Sequence, residues 1–165
     1  MTHKVFIVMG VSGTGKSTIG KLLAQKLNVP FFDGDDFHPE ENVAKMASGQ
    51  PLNDTDRHGW LKALNELCKK HETAGAVVAC SALKSSYRDI LSKELNKSIQ
   101  FIYLEGTFEL VKARMIERTD HFMPIKLLKS QFDTLEPPVN VNAITISINH
   151  TPTKIISLIL NHIHQ

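Results

Sequence analysis

The stretch VMGVSGTGKST, from Val8 to Thr18, decides the fold of this 165-residue chain. Residues 10–17 match the pattern GxxxxGK[ST] at every fixed position. The apolar run Val5–Met9 predicts a strand before the motif, and the amphipathic pattern of Lys16–Leu27 predicts a helix after it. A glycine-rich turn between a strand and a helix directs backbone N–H groups inward, beside the positive end of the helix. The stretch therefore predicts a phosphate-binding loop.

The loop residues have separate expected tasks. Lys16 can reach the β- and γ-phosphates of a nucleotide, and the Ser17 hydroxyl can ligate Mg²⁺. We therefore expect ATP and Mg²⁺ as the cofactors. The predicted nucleotide-binding residues are those of the loop and the first helical turn: Gly10, Val11, Ser12, Gly13, Thr14, Gly15, Lys16, Ser17 and Thr18.

The rest of the chain alternates short apolar runs with longer helical patterns, which is typical of parallel strands joined by helical crossovers. We predict an α/β fold, with a five-stranded parallel sheet between helices, in one domain over residues 1–165. The predicted strands are Val5–Met9, Pro30–Asp33, Ala76–Cys80, Ile99–Leu104 and Ala143–Ile148. The predicted helices are Lys16–Leu27, one carrying Asn42 and Lys45, one around Trp60–Cys68, Lys84–Leu95, Phe108–Arg118 and Thr153–His162, the last with Thr151 as N-cap.

Composition narrows the class of function. Nineteen Lys and Arg against seventeen Asp and Glu leave a net charge of +2, so no global field favours nucleic acid or an anionic membrane. The two cysteines, Cys68 and Cys80, have no CxxC spacing, which argues against a disulfide framework or a zinc site. The apolar run near the N-terminus is too short to span a membrane. We expect a cytoplasmic protein with no nucleic-acid or membrane partner.

A phosphate-binding loop is compatible with a small-molecule kinase, a GTPase switch or a regulatory ATPase. The GTPase interpretation requires Asn-Lys-x-Asp, but the one candidate, residues 96–99, ends in isoleucine; the DxxG-like residues 56–59 follow no apolar strand. An ATPase places an acidic residue at the end of an apolar strand. Leu104-Glu105 is the one loose match, so this alternative stays open.

A pair of carboxylates follows the second predicted strand. Asp33-Gly34-Asp35 lies where ligands bind in open α/β sheets, at the carboxyl ends of the strands. Asp33 can orient Mg²⁺ through water, while Asp35 can accept a proton from an alcohol or position it. An ordinary Asx turn that closes the strand is the alternative.

Four blocks in this order resemble the gluconokinases: GVSGTGKS, DGDDFHPEENVAKMASGQPLNDTDRHGWL, CSALKSSYRDIL and HFMPIKLLKSQFDTLEPP. They cover most of the chain from the loop to Pro138. That family belongs to the P-loop small-molecule kinases, related to shikimate and nucleoside-monophosphate kinases. The resemblance implies ATP-dependent phosphorylation of the 6-hydroxyl of D-gluconate, and a homodimer. Alternatives are a kinase for another small alcohol, such as shikimate, and the regulatory ATPase.

An anionic polyol requires a cation for its carboxylate and hydrogen-bonding groups for its hydroxyls. With Asp35, the predicted acceptor-binding residues are His38, Arg57, Lys84, Arg88 and Gln131. Arg57 is the favoured carboxylate clamp, because its planar guanidinium can make two parallel hydrogen bonds. The spacing of Lys84 and Arg88 predicts that they share a helix face.

Arg114 and Arg118 lie one turn apart on a predicted helix that leads into TDHFMP. In this kinase class the segment resembles a lid, here about residues 114–130. The resemblance implies that Arg114 lies on the adenine and that Arg118 neutralises charge on the transferring phosphoryl group. The predicted catalytic residues are therefore Lys16, Asp35 and Arg118, with Ser17 and Asp33 at the metal.

Overall fold

A computed structural model of the protein describes residues 5–117, 125–139 and 143–164, and the predicted α/β fold is confirmed. The strands are β1 Val5–Met9, β2 Phe31–Asp33, β3 Ala76–Ala79, β4 Ile99–Glu105 and β5 Ala143–Ser147. The helices are α1 Lys16–Leu27, α2 Glu40–Ala47, α3 Asp54–Lys70, α4 Ser85–Ser92, α5 Phe108–Glu117, α6 Ile125–Thr134 and α7 Pro152–Ile163. Short 3-10 helices span Gly34–Phe37 and Asn96–Ser98.

The five strands form one parallel sheet in the order β2-β3-β1-β4-β5. Strand β1 is central, with Val5 paired to Ala76 on one side and to Ile99 on the other, and all its residues are buried. Because the strands are parallel, the segments that follow β1, β2 and β3 meet at one edge of the sheet. This edge carries the phosphate loop, Asp33 and Cys80.

Helices cover both faces of the sheet. On one face, α1 and α7 pack through residues such as Leu23 and Ile159; on the other, α3 and α4 pack through Leu64 and Leu91. Each face buries its own hydrophobic cluster, so the architecture has three layers. Thr151 caps α7 as predicted, since its side chain accepts a hydrogen bond from the Lys154 N–H.

The segment expected to be a lid is partly regular structure. Helix α6 begins inside the predicted lid, residues 114–130, and ends four residues after it, at Thr134. Its Leu128 is buried. Its Phe132 makes an edge-on contact with Phe108 of α5, with the ring centroids 5.6 Å apart. Ile125, Leu128 and Phe132 are spaced as on one face of a helix, but the polar residues around them made this pattern hard to recognise in the sequence. Among the described residues, no helix is both long and apolar enough to cross a bilayer.

Candidate functional site

The phosphate loop connects β1 to α1 and depends on glycine. Gly13 and Gly15 have φ angles of 85° and 92°, in the left-handed region that side chains rarely adopt. A Cβ at Gly13 would lie 2.8 Å from Cγ of Met115, so the loop also packs closely against α5. The buried Thr14 hydroxyl donates to the Val11 carbonyl at 2.9 Å, which stabilises the turn from inside. Only the backbone of Thr14 is therefore free to face a phosphate.

Lys16 begins α1, and its ammonium group turns back over the loop. Nζ donates to the Val11 carbonyl oxygen at 3.0 Å. Part of the side chain is open to solvent, but the ammonium lies among protein atoms, and this burial lowers the pKa of Lys16, while Asp35 and Asp33 oppose the effect. The loop thus holds a cation beside two carboxylates before any anion arrives.

The two carboxylates lie at the end of β2 in different environments: Asp33 is the last residue of the strand, and Asp35 lies in the 3-10 helix after it. Asp33 Oδ1 accepts a hydrogen bond from the Asp35 N–H at 3.0 Å and caps the 3-10 helix, so the Asx turn considered above does form. Asp33 Oδ2 accepts a longer bond of 3.4 Å from the Ser17 hydroxyl. Asp35 is exposed on one side, yet desolvation by the cleft and then the neighbouring Asp33 raise the pKa of Asp35.

The residues present fit a magnesium ion. Ser17 and Asp33 put a hydroxyl and a carboxylate oxygen side by side at the phosphate loop, and Mg²⁺ prefers such oxygen donors. In the described ranges no cluster of three or more Asp, Glu, His or Cys forms a metal cage. Mg²⁺ usually takes one or two protein ligands and completes its shell with phosphate and water, so this sparse arrangement suits it.

A cavity of about 520 Å³ lies against the loop and the carboxylate pair. Lys16, Asp33 and Asp35 all line it. Gln131 of α6 lines it too, and is tied to the loop: Oε1 accepts from the Ser12 N–H at 2.7 Å, and Nε2 donates to the Ser12 hydroxyl at 3.2 Å. The cavity brings a cation, two carboxylates and an amide together, as phosphoryl transfer between two substrates requires.

Cys80 also lines this cavity. Burial raises the pKa of its thiol to about 12, so the group is neutral at physiological pH. A neutral, buried thiol is a poor nucleophile and a poor metal ligand. The charged groups that line the cavity are Lys16 and the two carboxylates, Asp33 and Asp35.

A second cavity, of about 260 Å³, opens on the other part of the loop. Gly13, Thr18, Arg114, His150 and Pro152 are among its lining residues. A guanidinium nitrogen of Arg114 donates to the Ile148 carbonyl at 2.6 Å, which joins α5 to the segment after β5. The sequence analysis missed His150 and Pro152, although their place after the last strand, at the same sheet edge as the loop, was a usable signal.

The predicted partner of Arg114, Arg118, lies outside the described residues. The part of the lid prediction that covers residues 118–124 lies outside them as well. Of the two predicted lid arginines, the structure therefore describes Arg114, which lines the smaller cavity beside the phosphate loop.

Arg57 and Lys84 converge on a carboxylate that the sequence analysis did not single out. Tyr87 donates its hydroxyl to Asp54 Oδ1 at 2.6 Å and accepts from an Arg57 guanidinium nitrogen at 3.2 Å. Lys84 Nζ lies 3.3 Å from Asp54 Oδ2, and Arg57 lies 3.8 Å from Oδ1. Arg57 and Lys84 also lie over the Tyr87 ring, at 5.8 and 5.5 Å from its centroid. We call these four residues the Asp54 cluster.

His38 is held on the same side of the site. Its ring stacks on the indole of Trp60, with centroids 4.3 Å apart and planes at 16°. The Trp60 N–H donates to the Gly34 carbonyl at 2.8 Å, inside the turn that carries Asp35. Burial lowers the pKa of His38; the Asp35 carboxylate opposes the effect and Arg57 adds to it.

Arg88, predicted to bind the acceptor, makes contacts with two backbone carbonyls. It is 7% exposed, and its guanidinium donates to the carbonyls of Ala82 and Glu136, both at 2.7 Å. The predicted shared face with Lys84 is absent, because α4 begins at Ser85 and Lys84 is its extended N-cap residue. Arg88 joins the β3–α4 loop to the segment after α6, and its role in acceptor binding stays a prediction.

Comparisons with known proteins agree with this geometry. A family model described as shikimate kinase matches residues 12–162. A thermosensitive gluconokinase of Escherichia coli K12 is 47% identical over 156 residues, covering 91% of this chain and 82% of that protein. A probable gluconokinase of Rattus norvegicus is 44% identical, covering 96% and 97%. The crystal structure of a gluconokinase from Sinorhizobium meliloti 1021 superposes with a TM-score of 0.85 at 37% identity, covering 99% and 97%.

Proposed function

We propose the following function for this chain, which belongs to the gluconokinase family of P-loop kinases: it transfers the γ-phosphoryl group of ATP to the 6-hydroxyl of D-gluconate, giving 6-phospho-D-gluconate and ADP. One observation carries the proposal beyond family membership. The Lys16 ammonium and the Asp35 carboxylate face one cavity at the carboxyl edge of the sheet. A cation for phosphate and a carboxylate for an alcohol are the two groups that this reaction requires.

On the phosphate side, the loop N–H groups and Lys16 hold the nucleotide. Lys16 exchanges its contact with the Val11 carbonyl for the β- and γ-phosphate oxygens. Ser17 and Asp33 would hold Mg²⁺, directly or through water, and the ion when bound neutralises charge on the phosphates. These contacts position the γ-phosphoryl group and stabilise the charge of the transition state.

On the acceptor side, Asp35 orients the 6-hydroxyl or takes its proton. The alcohol oxygen forms a bond to the γ-phosphorus as the bond from that phosphorus to the ADP oxygen breaks, and the proton passes to the Asp35 carboxylate or to solvent. The hydrogen bond from the Asp35 backbone N–H to Asp33 Oδ1 fixes the turn from which the Asp35 carboxylate extends.

The Asp54 cluster supplies the cation for the acceptor carboxylate. Arg57 is the main cation that binds this carboxylate and Lys84 is the second, because a guanidinium binds a carboxylate through two hydrogen bonds and an ammonium through one. Asp54 and Tyr87 hold both cations in place before substrate binds. His38 and Gln131 supply hydrogen-bonding groups for hydroxyls.

The smaller cavity is the proposed adenine site, with Arg114 beside the base. Arg118 keeps the role that the family resemblance implies, neutralising charge on the transferring phosphoryl group as residues 114–130 close over the nucleotide. The proposal has three further parts: dependence on Mg²⁺, which rests on Ser17 and Asp33; a cytoplasmic location, which rests on the composition; and a homodimer, which rests on the family resemblance. Chelation with EDTA and sedimentation analysis test the first and the last.

A coupled ADP-release assay over a panel of acceptors tests the proposed function. The panel contains D-gluconate, shikimate, nucleoside monophosphates and no acceptor. We expect rapid ADP release with D-gluconate and little in the other arms, because closure of the site by both substrates limits hydrolysis. Preference for shikimate would replace the proposed acceptor, and brisk release without any acceptor would favour the ATPase.

We expect the Asp35→Asn variant to bind ATP but to lose most of its phosphoryl-transfer activity. The matched control is Asp36→Asn, which changes the exposed neighbouring residue in the same way. Equal loss in both variants would contradict a specific role for Asp35.

A further inference from the structure

His38 is fixed by two buried neighbours. The ring face lies on Trp60 at 4.3 Å, and Nδ1 lies 3.3 Å from Nδ2 of Asn42. Trp60 and Asn42 are only 5% and 4% exposed, so both side chains are packed inside the protein. A side chain held on one face and at one edge has little freedom to rotate.

The orientation of the Asn42 amide decides where the His38 proton lies. Asn42 Nδ2 donates to the Asp56 backbone carbonyl at 2.9 Å. A carbonyl oxygen only accepts, so the amide must present its nitrogen on this side. The second hydrogen of that nitrogen then points to His38 Nδ1, which must accept it. An accepting Nδ1 carries no proton, and a neutral imidazole then carries its proton on Nε2.

The other ring nitrogen is free for a ligand. Across residues 5–117, 125–139 and 143–164, Nε2 of His38 has no hydrogen-bond partner. No buried side-chain nitrogen or oxygen in these ranges lacks a partner, so Nε2 must reach accessible space. The charged groups that act on the ring are Asp35 from the 3-10 helix and Arg57 from α3, the residues assigned above to the acceptor hydroxyl and carboxylate.

We propose that Asn42 and Trp60 are positioning residues that hold His38 as the neutral tautomer protonated on Nε2, and that this N–H donates a hydrogen bond to a hydroxyl oxygen of the acceptor. The identity of the acceptor rests on the proposed function, whereas the tautomer does not. In this state His38 is a specificity residue and not a general base, because the nitrogen that faces the acceptor already carries a proton.

The tautomer is tested directly by ¹⁵N-detected NMR of the histidine rings in the wild-type protein, with His38→Gln used to assign the resonances. We expect Nδ1 to resonate as an unprotonated nitrogen and Nε2 as a protonated one at pH 7.5. Asn42→Asp, which puts an acceptor at Nδ1, should protonate Nδ1 and raise the His38 pKa; Asn161→Asp, at an exposed site on α7, should change neither. A proton on Nδ1 in the wild type would overturn the proposal.

The donated hydrogen bond is tested by steady-state kinetics with D-gluconate. His38→Phe preserves an aromatic ring against Trp60 but has no donor, so KM for D-gluconate should rise about tenfold while KM for ATP stays unchanged. His38→Gln places an amide N–H near the position of Nε2 and should recover most of that loss. Equal KM values for His38→Phe and the wild type would overturn the role in acceptor binding. Because the NMR measurement needs no acceptor, failure of the proposed function appears separately, as absent turnover of gluconate by the wild type.

Discussion

In the proposed function, recognition of the acceptor carboxylate depends on Arg57. Its side chain is 34% exposed and is already oriented by Tyr87 and Asp54. Removing a cation that pairs with a bound carboxylate costs on the order of 2 kcal/mol at such a partly exposed site, the lower end for charge pairs. We therefore expect Arg57→Ala to raise KM for D-gluconate roughly thirtyfold and to leave KM for ATP unchanged.

The control for this variant is Lys62→Ala, which removes an exposed cation from the same helix. Steady-state kinetics of both variants give the comparison. If Arg57→Ala used gluconate as well as the wild type does, Lys84 would be the carboxylate clamp, and Lys84→Ala would then show the loss.

Individual site residues were predictable where local spacing carries the chemistry. The phosphate loop and the Asp33–Asp35 pair need only a motif and a strand end, and both lie at the expected sheet edge. The Asp54 cluster was not predictable, because Asp54 and Tyr87 are 33 positions apart and meet only through the packing of α3 on α4. Arg88 shows the same limit, since spacing alone does not say whether a charged helix residue faces solvent or backbone carbonyls.

At the scale of elements, the start of α3 carries a pH-sensitive cap. Asn53 accepts from the Asp56 N–H at 2.8 Å, Asp56 Oδ2 accepts from the Asn53 N–H at 3.0 Å, and Lys45 of α2 reaches the same carboxylate at 2.6 Å. The hydrogen bond from Lys45 is the main cause that lowers the pKa of Asp56 below its ordinary value. The cap links α2, which carries Asn42, to the helix that carries Arg57.

A lowered pKa gives a definite sign to the pH dependence. As pH falls, the Asp56 carboxylate binds a proton in the unfolded chain before it does so in the folded protein. Ionised Asp56 therefore stabilises the folded state fully above about pH 5, and this stabilisation is lost as pH falls through the folded pKa. Urea unfolding between pH 6 and 3 should therefore show a smaller fall in unfolding free energy for Asp56→Asn than for the wild type. Equal slopes would mean that the cap does not depend on the charge.

Arg88 joins two elements that border the site. Its guanidinium holds the Ala82 carbonyl, where Ala82 has a φ of 45°, and the Glu136 carbonyl beyond α6. We expect Arg88→Met to lower the unfolding free energy by on the order of 3 kcal/mol, because the buried Ala82 carbonyl and the partly buried Glu136 carbonyl both lose charge-assisted hydrogen bonds. Denaturant titration measures it, with the exposed Lys93→Met as the control. An Arg88→Met variant that kept its stability but lost affinity for gluconate would contradict this structural role and support the predicted one in substrate binding.

At the scale of the whole molecule, the fold followed from hydrophobic periodicity. All five strands lie within two residues of their predicted ends, because a parallel sheet buried on both faces requires short, continuous apolar runs. Helix α6 was missed because its apolar residues Ile125, Leu128 and Phe132 lie among lysines and other polar residues, and Leu128 alone of these three is fully buried. Residues from distant segments of the chain meet at this edge of the sheet to form one site. Their meeting depends on tertiary packing, whereas the strands follow from local sequence patterns.

The most direct test of the central claim is the ³¹P NMR spectrum of the product formed from ATP and D-gluconate, with Lys16→Met as the inactive control. A phosphate ester on the primary C6 oxygen couples to two hydrogens, so the account predicts a new triplet that is absent from the control. A doublet would place the phosphate on a secondary hydroxyl, and a signal from inorganic phosphate alone would identify a hydrolase; either result would contradict transfer to the 6-hydroxyl of gluconate.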